Sequence, residues 1–150
     1  MSDLLDLTDR MAIEWHCTQL VHQFADYLDR GEFEAMFALF IEDGVFDRAG
    51  QPLQGHEEMR AAFRDRPKGI TTRHVATNLH FRNVQRDRAS ALVYGMAYHS
   101  NQTYEGTAVP YAFANGRFLD MHDEYVLTKV GWRFRSRVAK PVFVPSDWNL

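Results

Sequence analysis

The chain has 150 residues, 45% of them hydrophobic, including 11 Phe, 6 Tyr and 3 Trp; this excludes a disordered tail and is enough for one domain with an aromatic core. Its formal charge of −3, from 20 acidic and 17 basic residues with the arginines scattered along the chain, argues against a nucleic-acid partner. A single cysteine, Cys17, excludes an internal disulfide and a cysteine-based zinc site, and points to a reducing compartment.

Residues 1–20 carry Asp3, Asp6, Asp9 and Glu14, which is not the pattern of a signal peptide, and no window approaches the ~18 consecutive apolar residues of a membrane span. The expectation is a soluble, cytoplasmic protein without a membrane partner. Thr8 or Asp9 can cap a long amphipathic helix in which Ile13, Cys17, Leu20, Phe24 and Leu28 recur at helical spacing until Gly31 ends it. A short second helix is expected from about Glu32, its apolar stripe made by Phe33, Met36, Phe37 and Phe40. The run from Gly44 to Arg48 reads as a strand turning at Ala49-Gly50, and Gly55 to Phe63 as a third helix broken by Arg66-Pro67-Lys68-Gly69. Beyond residue 70 the pattern is of strands, at about 72–84, 89–103, 109–128 with a break near Asn115-Gly116, and 131–139. Helices followed by long strands at hairpin spacing predict a single α+β domain, a cone-shaped α+β barrel in which a curved antiparallel sheet and about three N-terminal helices enclose a pocket.

The candidate chemistry lies on this scaffold. His74 opens the first long strand, in the run Thr72-Arg73-His74-Val75-Ala76-Thr77-Asn78-Leu79. An ordinary strand-start histidine and a pocket base both fit it. Asp29 sits two residues before Gly31, at the end of a helix where the dipole disfavours negative charge by some tenths of a kcal/mol, so an acid there calls for a partner. His99 shares a strand face with Ala89, Ala91, Val93, Gly95 and Ala97, small residues that leave room for a cavity, although an exposed strand end would look similar. On the next strand Met121, Asp123, Tyr125 and Leu127 share one face, and His122 and Glu124 the other. The histidines lack metal-ligand spacing, and no phosphate loop or nucleophile elbow is present, so neither a metal nor a cofactor is expected.

The order of elements, with Leu28-Asp29-Arg30-Gly31-Glu32-Phe33 closing the first helix, the Gly55 helix, and Thr72-Arg73-His74 followed by Thr77-Asn78-Leu79, resembles the SnoaL-like branch of the nuclear transport factor 2-like superfamily over nearly the whole chain. Within it, the sequence is similar to the scytalone dehydratase and hexachlorocyclohexane dehydrochlorinase branches. The resemblance implies that Asp29 and His74 form a catalytic dyad, with His99 as a second catalytic histidine. It also implies a small-molecule substrate, bound with the help of Tyr27, Asn78, Met121, Asp123 and Tyr125; Tyr98 and Tyr104 are further phenol candidates. Met121 stands where the dehydratase pattern has an asparagine, which argues against dehydration of the same substrate.

The implied activity is that of a cofactor-independent lyase, dehydratase or isomerase acting on a small apolar cyclic or polyketide-like compound through His-Asp general acid/base chemistry. The alternative is a non-catalytic binding module, or an accessory subunit such as the small subunit of a ring-hydroxylating dioxygenase, because the scaffold alone decides nothing. The apolar tail from Lys140 to Trp148 is expected to cap the pocket mouth or to pack at a subunit contact, and the resemblance implies a homo-oligomer, dimer or trimer.

Overall fold

A computed structural model describes residues 5–111 and 116–146. Helix α1 spans Leu7–Arg30 and buries Ile13, Cys17, Leu20, Val21, Phe24 and Leu28, the stripe that the sequence spacing predicts. Its N-cap is Asp6, ahead of the expected Thr8 or Asp9. The Asp6 carboxylate accepts the Asp9 backbone N–H at 2.7 Å, leaving Asp9 in the first turn, where the helix dipole favours an acid. At the other end Gly31 takes φ 72°, its N–H reaching the Leu28 carbonyl while Glu32 N–H reaches that of Tyr27. This paired closure requires a residue that tolerates a left-handed backbone, and it fixes Asp29 in the last turn.

Helix α2 is only Phe33–Phe37, shorter than expected, because Phe40 belongs instead to strand β1, Phe40–Arg48. The strand therefore starts four residues before the expected Gly44, and an irregularity between Phe40 and Val45 absorbs that glycine, where an added Cβ would meet the Ile41 carbonyl at 3.0 Å. A short β2, Pro52–Gln54, leads into α3, Gly55–Arg64. The remaining strands are β3 (Thr71–Val84), β4 (Arg88–Ser100), β5 (Arg117–Thr128) and β6 (Gly131–Phe143). The segment expected to continue β4 to residue 103 and to start the next strand at 109 is not strand among its described residues; Gly106 at φ 91° and Pro110 interrupt it. Strand β6 runs on through Pro141 to Phe143, so half of the expected tail is sheet, while Asp147 and Trp148 lie outside the described residues.

One six-stranded curved sheet results, in the order β2-β1-β6-β5-β4-β3. It is the curved antiparallel sheet expected, with one addition: β1 and β6 run parallel. The crossover that returns the chain from β1 to the far edge of the sheet makes this pair parallel. Helix α1 packs over β3 and β6, and the core between helices and sheet is aromatic: Phe24 and Phe40 meet each other and both Phe46 and Phe134, with ring centroids 5.0 to 6.2 Å apart. Among the described residues, no helix is long and apolar enough to cross a membrane.

Candidate active site

The Schellman closure of α1 and the first residues of β3 bring an acid and a histidine together. The Asp29 carboxylate accepts three hydrogen bonds. His74 Nδ1 lies 2.6 Å from Oδ1, the Thr72 hydroxyl donates to the same oxygen at 2.9 Å, and the His74 backbone N–H donates to Oδ2 at 2.9 Å. An ionised carboxylate can only accept, so the proton of the neutral ring sits on Nδ1 and the lone pair on Nε2. The side chains keep 12% and 27% of their surface for Asp29 and His74, enough for a small molecule to reach the imidazole while the carboxylate stays sheltered.

Strand pairing decides what surrounds the dyad. Residues opposite one another in the ladder share a face, and His99 pairs with Thr72, Ala97 with His74, and Gly95 with Ala76. His99 therefore projects from the dyad's side of the sheet. Burial, then the positive charge of Arg117, hold its imidazole below the ordinary histidine pKa. Met121, opposite Val93 and Ala139, is buried in the same face with its side chain against Gly95.

Three of the other expected substrate contacts lie elsewhere. Asn78 takes φ 49° at a bulge between Thr77 and His80, and its exposed amide oxygen accepts from Thr77 Oγ1 at 3.2 Å. The bulge reverses the alternation, so that Thr72, His74 and Ala76 face inward before it and Leu79 and Phe81 after it, and Asn78 turns away from the dyad. Asp123, 1% exposed, is held by two 2.8 Å hydrogen bonds from Arg137 and by a third, 2.9 Å, from the Tyr125 hydroxyl. The Arg137 guanidinium in turn stacks between Phe24 and Phe134, with its carbon at 4.6 and 4.7 Å from their centroids. Asp123 and Tyr125 are thus a closed polar network in the core, with their hydrogen bonds used among themselves. Leu127 is exposed, past a register shift between Glu124 and Tyr125. Tyr27 is half-buried against the core, Tyr104 is exposed, and Tyr98 meets Tyr111 edge to face.

A broad cavity of about 750 Å³, open to solvent, lies between the end of α1, α2, α3 and residues 66–70. Asp29, Thr72, Phe33, Phe63 and Arg66 contribute to its wall, whereas His74 and His99 do not. Of the pair, Asp29 borders this cavity. Thr72 and Arg66 are not among the site residues expected from the sequence. The alternation that pairs His74 with Ala76 also contains Thr72, so its signal is present in the strand pattern itself.

A curved sheet wrapped by N-terminal helices, with an Asp–His pair at one end, defines an α+β cone of the nuclear transport factor 2-like type. The chain belongs to the SnoaL-like domain family, which matches residues 7–138. No match is found among curated proteins. Solved structures with the same fold include a proposed scytalone dehydratase from Novosphingobium aromaticivorans, 19% identical, covering 96% of this chain and 93% of that one with a TM-score of 0.72. ActVI-ORFA from Streptomyces coelicolor is 18% identical, with 89% and 98% coverage and a TM-score of 0.72. A hexachlorocyclohexane dehydrochlorinase is 14% identical, with 92% and 90% coverage and a TM-score of 0.71.

Proposed function

We propose that the protein is a cofactor-independent lyase or isomerase in which His74 removes a proton from a carbon acid. The observation that carries this reading is the 2.6 Å contact from His74 Nδ1 to Asp29, which leaves Nε2 as the acceptor. A substrate C–H beside a carbonyl breaks, its proton joins Nε2, and the electron pair moves into an enolate. That pair then expels a group at the β carbon or is reprotonated at another position. Asp29 fixes the ring and stabilises the imidazolium, as the carboxylate of a catalytic triad does. In this reading His99, which shares a face with Thr72, donates to the carbonyl oxygen or to the leaving group.

The test is deuterium uptake from D₂O by a panel of small cyclic ketones and polyketide-like diketones, followed by NMR. Wild-type protein exchanges at least one member, and His74→Ala slows that exchange by about 10²- to 10⁴-fold, the usual contribution of a positioned base. Equal exchange by both proteins would remove the dyad from the chemistry and leave a binding module.

We also propose that the protein self-associates through the outer sheet face in a cytoplasmic setting. Val75, Met96, Phe118 and Phe143 are successive cross-strand partners there, and Val75, Phe118 and Phe143 are exposed at 44%, 39% and 67%. Light scattering coupled to gel filtration should give a multiple of 17.4 kDa, reduced by Phe118→Lys.

A further inference from the structure

Cations line the sheet opposite the dyad. His74 is the ladder partner of Ala97, and Ala97 of Arg117, so Arg117 projects from the dyad's face with only a methyl group standing between the two strands' side chains. At the far side Arg48 pairs with Ala139, on the face that carries buried Phe46. From the helical side comes Arg66, whose guanidinium carbon lies 5.4 Å from the Phe33 centroid and 5.9 Å from that of Phe63; Arg48 approaches the same Phe63 ring at 4.9 Å. Arg66 also donates to the Thr72 hydroxyl at 3.4 Å, and Thr72 donates to Asp29.

Among the described residues, neither Arg48 nor Arg66 has an ion-pair partner, although the Asp29 charge steadies Arg66 from beyond Thr72. Asp29 already has its three donors. Burial first, and the charge of Arg48 second, press the pKa values of Arg66 and Arg117 below the ordinary guanidinium range. Burial also holds Arg48 below the ordinary guanidinium range. Arg66 borders the cavity beside Asp29 and Thr72, Arg48 repels both Arg66 and Arg117, and like charges held this near one another cost energy that an anionic ligand would return.

We propose that the substrate is an anion, with a carboxylate that docks against Arg48, Arg66 and Arg117 and sets the acidic C–H of the same molecule before His74. The proposal rests on the reading of Asp29 and His74 as an acid–base pair and narrows the substrate class from an apolar to an anionic cyclic compound. The arginines both hold the ligand and stabilise the negative charge that grows on it as the proton leaves.

Calorimetric titration of the full chain with benzoate, cyclohexanecarboxylate and 1-naphthoate, each beside its neutral amide, tests this. At least one acid binds about tenfold or more tightly than its amide; Arg48→Met and Arg66→Met each weaken the acid by about tenfold or more, and Arg48→Lys recovers part of the loss. Thermal unfolding confirms that the variants are folded. Equal affinity of acids and amides, no binding by any of the acids, or unchanged affinity in both Met variants overturns the proposal and leaves the arginines as braces on Phe63. Binding is read without turnover, so its failure is separate from failure of the dyad, which the exchange experiment judges.

Discussion

Asp29 holds His74 twice across 45 residues, by the ring nitrogen and by the backbone N–H of the same residue. The second bond anchors the start of β3 to the end of α1, so the carboxylate serves the fold as well as the ring. Asp29→Asn should therefore do more than slow a reaction. An amide presents one acceptor oxygen where the three donors need two, leaving a donor facing an NH₂ group. The expected loss is about 1–3 kcal/mol of stability by urea denaturation, the cost of an unmet buried donor, together with loss of the Nδ1-protonated tautomer in the ¹⁵N spectrum of His74. Unchanged stability with an unchanged tautomer would show that the contact constrains nothing.

Asn78 offers a test of the backbone alone. At φ 49° a glycine is at ease and an asparagine tolerable, whereas a β-branched side chain is strained. Asn78→Gly should stay within about 1 kcal/mol of wild type, and Asn78→Val should lose about 1–2 kcal/mol or more. Neither change should alter the deuterium exchange, because the side chain turns away from the dyad. An exchange rate that fell in the Gly variant would restore Asn78 as a substrate contact.

The same residue shows where the sequence is legible and where it is not. Helical spacing in α1 places Cys17 and Phe24 inward, and alternation places Ala89 to Ala97 on the inner face of β4, since each pattern is set by local geometry alone. Alternation would also put Asn78 on the His74 face. The bulge that reverses it has no periodic signature, only a residue type that tolerates a left-handed backbone. Asp123 stands out in the sequence as a polar group on an apolar face, but its partner lies 14 residues later. The register of the β5–β6 hairpin, which sets 123 against 137, decides that it belongs to the core and not to the cavity. Arg48, Arg66 and Arg117 carry no signal as a group because they come from three elements far apart in the chain, and charge scattered in sequence is not charge scattered in space.

Cys17 gives a pH prediction. Burial, helped by the negative charges of Asp123 and Glu14, pushes its thiol from 9.0 up to about 12. Between those values the unfolded chain has released the proton and the native state still holds it, so stability falls as pH rises from 9 towards 12 and is unaffected by this group below 9. Cys17→Ala should flatten that part of the curve, at the cost of a small cavity beneath α1. In the native protein a thiol reagent at about pH 8 should react only as fast as the molecule opens. Rapid labelling under native conditions would contradict the burial of this side chain.

The Asp123–Arg137 pair is the contact whose removal should be felt most. Its two side chains are 0% and 2% exposed, both oxygens of the acid are engaged, and the guanidinium is enclosed by two phenylalanine rings. Asp123→Asn or Arg137→Met alone strands a charge in the core and should cost about 3–5 kcal/mol. The double variant Asp123→Leu, Arg137→Met removes both charges, keeps apolar volume, and should cost clearly less than the two single losses added together. Tyr125→Phe, which deletes one donor and leaves the ion pair intact, should cost about 1–2 kcal/mol. A double-mutant cycle by urea denaturation measures the coupling directly. Single losses that simply add would mean that Asp123 and Arg137 act independently, and the core position of Asp123 would then need another explanation, including the substrate contact that its place on β5 suggests.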